Sequence, residues 1–91
     1  MYEWDEAKRR ANLAKHGVDF ADLVRLEWSP ADLREDTRND YGERRFVVDG
    51  YIDGRQHVLA FVWRNGRVRA ISLRKANARE RKRYEQAKKL H

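Results

Sequence analysis

Two dipeptides, Asp53–Gly54 and Asn65–Gly66, constrain the fold of this chain more than any other feature. Each stands between runs of strand-forming residues. A two-residue type I′ turn needs positive φ at both central positions, which Asp-Gly and Asn-Gly accept at low cost, and it leaves the flanking strands antiparallel and adjacent. The runs "RRFVVDGYI" (44–52), "RQHVLAFVW" (55–63) and "RVRAISL" (67–73) are therefore predicted to form a three-stranded antiparallel meander. The middle run is apolar on both alternating faces, as a central strand covered on two sides would be.

Upstream of the meander the period changes. "YEW" (2–4) reads as a short extended start. Asp5 is a good N-cap, "EAKRRANLAKH" (6–16) is rich in helix formers, and Gly17 is a helix stop. "VDFADLVRLEW" (18–28) reads as a second helix capped by Asp19, with Ser29–Pro30 as its end. "ADLREDTRNDYGER" (31–44) is polar and predicted to be loop-rich. After the meander, Asn77 and Glu80 form a capping-box-like start for a last helix, "ARERKRYEQAKKL" (78–90). The expectation is one α+β domain over residues 1–91: a short N-terminal strand, two helices, the meander and a C-terminal helix.

Charge is segregated along the chain. The net charge is +6, but Arg67 to His91 holds ten Lys or Arg and two acids, whereas residues 1–66 hold eleven basic and thirteen acidic residues. Such a surface favours polyanionic partners, nucleic acid above all. With no cysteine there is no disulfide framework and no thiolate metal site. The N-terminal "MYEWDEAKRR" is unlike a signal peptide, and no apolar run approaches the roughly 20 residues of a membrane span. A cytoplasmic domain with no membrane partner is expected.

Three ordered blocks carry a resemblance. "WD…K…N…KHGVDF" near the start, "DYGE" followed by Arg45, and "R-x-ISLRKA…ER…Y" at the end resemble the BrnT family of bacterial toxins. The matching positions are Trp4, Asp5, Lys8, Asn12, Lys15 to Val18, Phe20, Tyr41 to Glu43, Arg45, Arg69, Ile71, Ser72, Arg74 to Ala76, Glu80, Arg81 and Tyr84. Ala70 departs from the pattern, which has a larger aliphatic there. The resemblance implies a ribonuclease toxin of a type II toxin–antitoxin pair with a RelE-like fold. It also implies an antitoxin with a ribbon-helix-helix DNA-binding part, operator DNA bound through the complex, and an assembly that can be dimeric.

The residues themselves narrow the chemistry. His16, His57 and His91 are far apart, and the acids of "REDTRND" lack the spacing of a calcium loop, so neither a metal nor another cofactor is expected. Metal-free RNA cleavage uses the substrate's 2′-hydroxyl as nucleophile. The enzyme must move two protons and stabilise charge on phosphorus, the latter a task for guanidinium groups. Arg74 and Lys75 stand where the last strand meets a helix N-terminus, a place that favours anions; Arg74 pairing with Glu80 is the plainer alternative. Arg69 is the next candidate, against a salt bridge to the "DYGE" acids. If Ile71 and Leu73 face the core, Arg69 begins on their face. Ser72 alternates with Arg74 and can donate to phosphate.

Glu43 and Arg45, two apart on one strand face, form either a base with its orienting cation or a structural ion pair. His16 can titrate near neutral pH, and Lys15 beside it is a further RNA contact. Tyr41 can stack on a base; Tyr84 is expected against the sheet, and Trp4, Trp28 and Trp63 in the core or an interface. Arg81, Lys88 and Lys89 extend a basic track along the last helix. The rival reading, from a different class, is a non-catalytic nucleic-acid-binding or transcription-regulatory module. Convergence of Glu43, Arg45, Arg69 and Arg74 on one cleft would favour the enzyme.

Overall fold

The structure, a computed structural model, describes residues 1–89, the Lys88 side chain excepted. Its elements in chain order are β1 (Tyr2–Glu3), α1 (Glu6–His16), a 3₁₀ turn (Phe20–Arg25), β2 (Glu27–Trp28), a shorter 3₁₀ turn (Pro30–Asp32), β3 (Arg34–Asp36), β4 (Arg45–Ile52), β5 (Arg55–Arg64), β6 (Arg67–Lys75) and α2 (Ala78–Lys89). The predicted extension of the last helix to Leu90 falls outside the described residues.

The meander forms as its turns require. Asp53 and Gly54 have φ of 50° and 78°, and Asn65 and Gly66 have φ of 54° and 74°, so both hairpins turn through the left-handed region. The sheet is larger than the sequence suggested. It has six strands in the order β1-β6-β5-β4-β2, with β3 also pairing β4; β1 runs parallel to β6 and the other pairs are antiparallel. The polar stretch predicted as loop thus supplies β3, an edge strand of three charged residues, and charge is how natural sheets protect an edge.

The second predicted helix is a 3₁₀ turn. Phe20, Leu23 and Leu26 are buried, whereas Val24 is 81% exposed. The buried set repeats every three residues, the period of a 3₁₀ helix, whose side chains eclipse at i and i+3. Asp19 caps it, accepting from the Ala21 N–H at 2.9 Å.

The core lies on one face of the sheet. Val48 and Ile52 of β4, Leu59 and Phe61 of β5, and Val68, Ala70 and Leu73 of β6 meet Val18, Phe20, Leu23 and Leu26. Ala70 lies opposite Phe61 in the ladder, so the larger ring fills the space a bigger aliphatic would take. A bulge corrects the expected phase of β6: Ala60 pairs Ser72 while Phe61 pairs Ala70, leaving Ile71 as the extra residue. Ala70 and Leu73 therefore face the core, Ile71 is only half-buried, and Arg69 is not on the Leu73 face. α1 seals the open edge of β6 with one side chain. Asn12 Nδ2 donates to Leu73 O at 2.8 Å and Val18 O at 3.0 Å, while Oδ1 accepts from Leu73 N–H at 3.1 Å.

α2 lies against the other face. Its capping box is formed: Asn77 Oδ1 accepts from Glu80 N–H, and Asn77 N–H donates to a Glu80 carboxylate oxygen. The Tyr84 ring meets Tyr51 of β4 edge-on at 5.7 Å. No helix among the described residues is long and apolar enough to cross a membrane.

Candidate functional site

Between α2 and β3 the second face of the sheet is left open, and a cleft of about 410 Å³ lies there. Register builds its floor. Val47, Ala60 and Ser72 form one row across β4, β5 and β6, and Asp49, Val58 and Arg74 form the next. The bulge at Ile71 is what puts Ser72 and Arg74 on this face. Small floor residues leave the space unfilled. The walls are Arg34 to Arg38 on one side and Glu80 and Arg83 on the other.

Four arginines, Arg34 and Arg38 from the β3 stretch, Arg74 from β6 and Arg83 from α2, thus line one hollow. Most are held by acids. Arg74 makes a two-armed contact with Glu80, Nη1 to Oε1 at 2.7 Å and Nη2 to Oε2 at 2.8 Å. That contact holds the Glu80 carboxyl down at about 2. Arg38 forks onto Asp36 at 2.9 Å through both Nε and Nη2, which pushes the Asp36 carboxyl well below its usual range. Arg34 Nη1 lies 3.6 Å from Asp49 Oδ2. Burial raises the Asp49 carboxyl above its usual range, ahead of any effect from Arg34. A smaller hollow of about 230 Å³ continues under α2 from Asp49 and Arg34 to Tyr84 and Ala87.

The expected convergence is only partly seen. Arg74 and Ser72 line the cleft. Lys75 does not join Arg74: strand alternation turns it to the α1 side, where it is exposed. The helix N-terminus beside Arg74 is occupied by Glu80 rather than open to an anion. Arg69 binds Glu3 of β1 at 2.7 Å, not the acids of "DYGE". Glu43 pairs with Arg64 at 2.7 Å, so the expected Glu43–Arg45 unit is absent.

Arg45 instead stacks on Tyr41, with its guanidinium carbon 3.7 Å from the ring centre, and Tyr41 also bonds Asp36, so that ring is already covered. The two line a neighbouring hollow of about 370 Å³ with Glu43 and Asp36. His16 ends α1 outside the cleft lining; burial first, then Lys15 and Arg74, lower its pKa. Lys15, Arg81 and Lys89 are exposed on helices, and the Lys88 side chain lies outside the described residues. Tyr84 and Trp28 pack as expected, while Trp63 is half-exposed with its edge on Phe61.

Sequence reading missed Arg34, Arg38, Asp36 and Asp49, and saw Arg83 only as one more cation on the last helix. The signal for Asp49 was present: an acid inside the run "FVVDGYI", on a strand with apolar neighbours. Arg34 to Arg38 needed β3, which only pairing to β4 creates. Among the described residues no group of three His, Asp or Glu is placed to hold a metal ion.

A family model described as "Ribonuclease toxin, BrnT, of type II toxin-antitoxin system" matches residues 4–80. The chain belongs to this family. A search of curated proteins gives no match. The BrnT match begins at Trp4, just after β1, and ends at Glu80, the residue that holds Arg74, so it spans the sheet from β2 to β6 and the cleft floor. Membership brings an RNA substrate and an antitoxin partner.

Proposed function

We propose that this BrnT chain is a metal-independent endoribonuclease whose active site is the arginine-lined cleft. The observation that carries the reading is the meeting of Arg34, Arg38, Arg74 and Arg83 over the small floor residues Val47, Ala60 and Ser72. Guanidinium forks match phosphate oxygens in pairs, and several around one hollow suit a phosphorus that gains negative charge in the transition state. The substrate's 2′-oxygen attacks phosphorus, a new O2′–P bond forms, and the P–O5′ bond breaks. The products are a 2′,3′-cyclic phosphate and a 5′-hydroxyl end. Arg74 grips the scissile phosphate after exchanging Glu80 for it, and Ser72 donates a hydrogen bond to it. Arg45, stacked on Tyr41 in the adjoining hollow, takes the neighbouring phosphate.

The finer features belong to the same reading. The chain acts as a single cytoplasmic domain with a RelE-like arrangement. A ribbon-helix-helix antitoxin neutralises it and carries the complex to operator DNA. The test is incubation of purified protein with bulk RNA in EDTA, followed by end-group analysis. Cyclic or 3′-phosphate ends are expected. Ends bearing a 3′-hydroxyl, or strict dependence on Mg²⁺, would overturn the mechanism. Binding without any cutting would favour the regulatory module.

A further inference from the structure

The cleft has cations for phosphate, yet the proton-transfer groups expected from sequence lie elsewhere. Glu43 is tied to Arg64, and His16 lines neither the cleft nor the hollow that continues it under α2. We propose that Asp49 is the catalytic base that removes the proton from the attacking 2′-hydroxyl, a proposal that rests on reading the cleft as a ribonuclease site.

Placement comes first. Asp49, Val58 and Arg74 occupy one row across three strands, so Asp49 and Arg74 emerge on the same face. Their backbones are two strand spacings apart, roughly 10 Å. A phosphate gripped by Arg74 would therefore lie within about one nucleotide's reach of Asp49. Val58 between them is too short to fill the gap, and Asp49 lines the hollow that continues the cleft under α2.

The condition of the carboxyl is the second observation. Asp49 Oδ1 is buried and has no hydrogen-bond partner among the described residues. Among the described residues its other oxygen has Arg34, at 3.6 Å. A carboxyl with one oxygen buried and unpaired costs stability, and neighbours do not remedy it. Arg34 from β3 and Arg74 from β6 favour its charge, whereas Asp32 from the second 3₁₀ turn and Glu80 from α2 oppose it. A ribose hydroxyl would supply the missing partner. In the step, Asp49 takes the proton from O2′ as the O2′–P bond forms, and the departing 5′-oxygen takes a proton from water. Burial keeps the carboxyl basic enough to accept that proton, and Arg34 holds it in place.

The test compares the parent with Asp49→Asn in single-turnover cleavage of a short RNA in EDTA, from acid to mildly alkaline pH. The variant should lose about 100- to 10,000-fold in rate and the rising acid limb of the profile, the usual range for a lost general base. Its affinity for the 2′-deoxy oligonucleotide should match the parent's, and its melting temperature should not fall, because the amide removes an uncompensated charge. Asp49→Ala should regain rate with added formate. If the parent cuts and Asp49→Asn cuts as fast, the assignment of Asp49 is wrong while the ribonuclease reading stands. A rate loss explained wholly by weaker binding of the 2′-deoxy oligonucleotide would also overturn it. If the parent leaves RNA intact, the reading of the cleft falls, and the role of Asp49 with it.

Discussion

At Arg74 both arms of a guanidinium already hold a carboxylate, so an incoming phosphate must replace Glu80. This predicts opposite effects from the two partners. Arg74→Ala should lower the cleavage rate about 100-fold or more, on the order of 3 kcal/mol, and by more than it weakens substrate binding. Arg74→Lys should recover only part, since an ammonium cannot form the fork. Glu80→Gln should instead tighten RNA binding, because the competing carboxylate charge is gone. Kinetics beside thermal melts would check both; an Arg74→Ala protein that melts like the parent and cuts as fast would remove Arg74 from the site. A second residue acts through space alone. A Cβ on Gly50 would lie 2.7 Å from Glu27 O and 2.8 Å from Leu26 Cδ1. Gly50→Ala should therefore destabilise by about 1–3 kcal/mol, the usual effect of overpacking, and denaturant titration measures it. Nothing in "VVDGYI" announced this, because the clash is with β2, a strand that periodicity did not reveal.

Among the elements, those governed by local rules were legible and those made by pairing were not. Turn chemistry foretold both hairpins, and caps foretold α1 and the start of α2. The 3₁₀ turn at Phe20–Arg25 escaped because Val24, apolar but exposed, made the stripe look α-helical. β2 and β3 escaped because charged residues form strands there only through β4. The bulge at Ile71 escaped for the same reason, and with it the face assignments of Arg69 and Ile71. The α1–β6 junction rests on Asn12, a polar residue inside an apolar contact. Asn12→Ala would leave the Leu73 N–H and C=O buried without partners, at about 2–4 kcal/mol. The melting temperature should then fall by about 10–20 °C, as expected for a chain of this size.

α2 has its own signature in acid. Glu80 titrates at about 2 in the fold, against 4.5 unperturbed, chiefly because of Arg74. A depressed carboxylate gives stability that is complete above the unfolded value and lost as pH falls through the folded one. Amide exchange in the first turn of α2 should therefore quicken between about pH 4.5 and 2, ahead of exchange in β5, and Glu80→Gln should remove that difference.

For the whole molecule, the two ends of the charge distribution are predicted to act separately. The cleft arginines come from both the mixed-charge part of the chain (Arg34, Arg38) and the basic part (Arg74, Arg83). The exposed cations of α2 outside the cleft, among them Lys82 and Lys89, are predicted to add attraction for the RNA backbone. If all four cleft arginines contact phosphate, affinity for single-stranded RNA should fall with a log–log salt slope of about −2.8, at about 0.7 per contact. The α2 lysines should steepen it further. Lys82→Glu with Lys89→Glu should then weaken binding and flatten the slope, yet leave the cleavage rate of bound RNA unchanged, because neither side chain lines the cleft. Titrations at several salt concentrations, with single-turnover rates at saturating enzyme, separate the two effects. A fall in the bound rate would move part of the chemistry onto α2. An affinity indifferent to salt would detach the basic helix from RNA altogether and leave the antitoxin as the partner it faces.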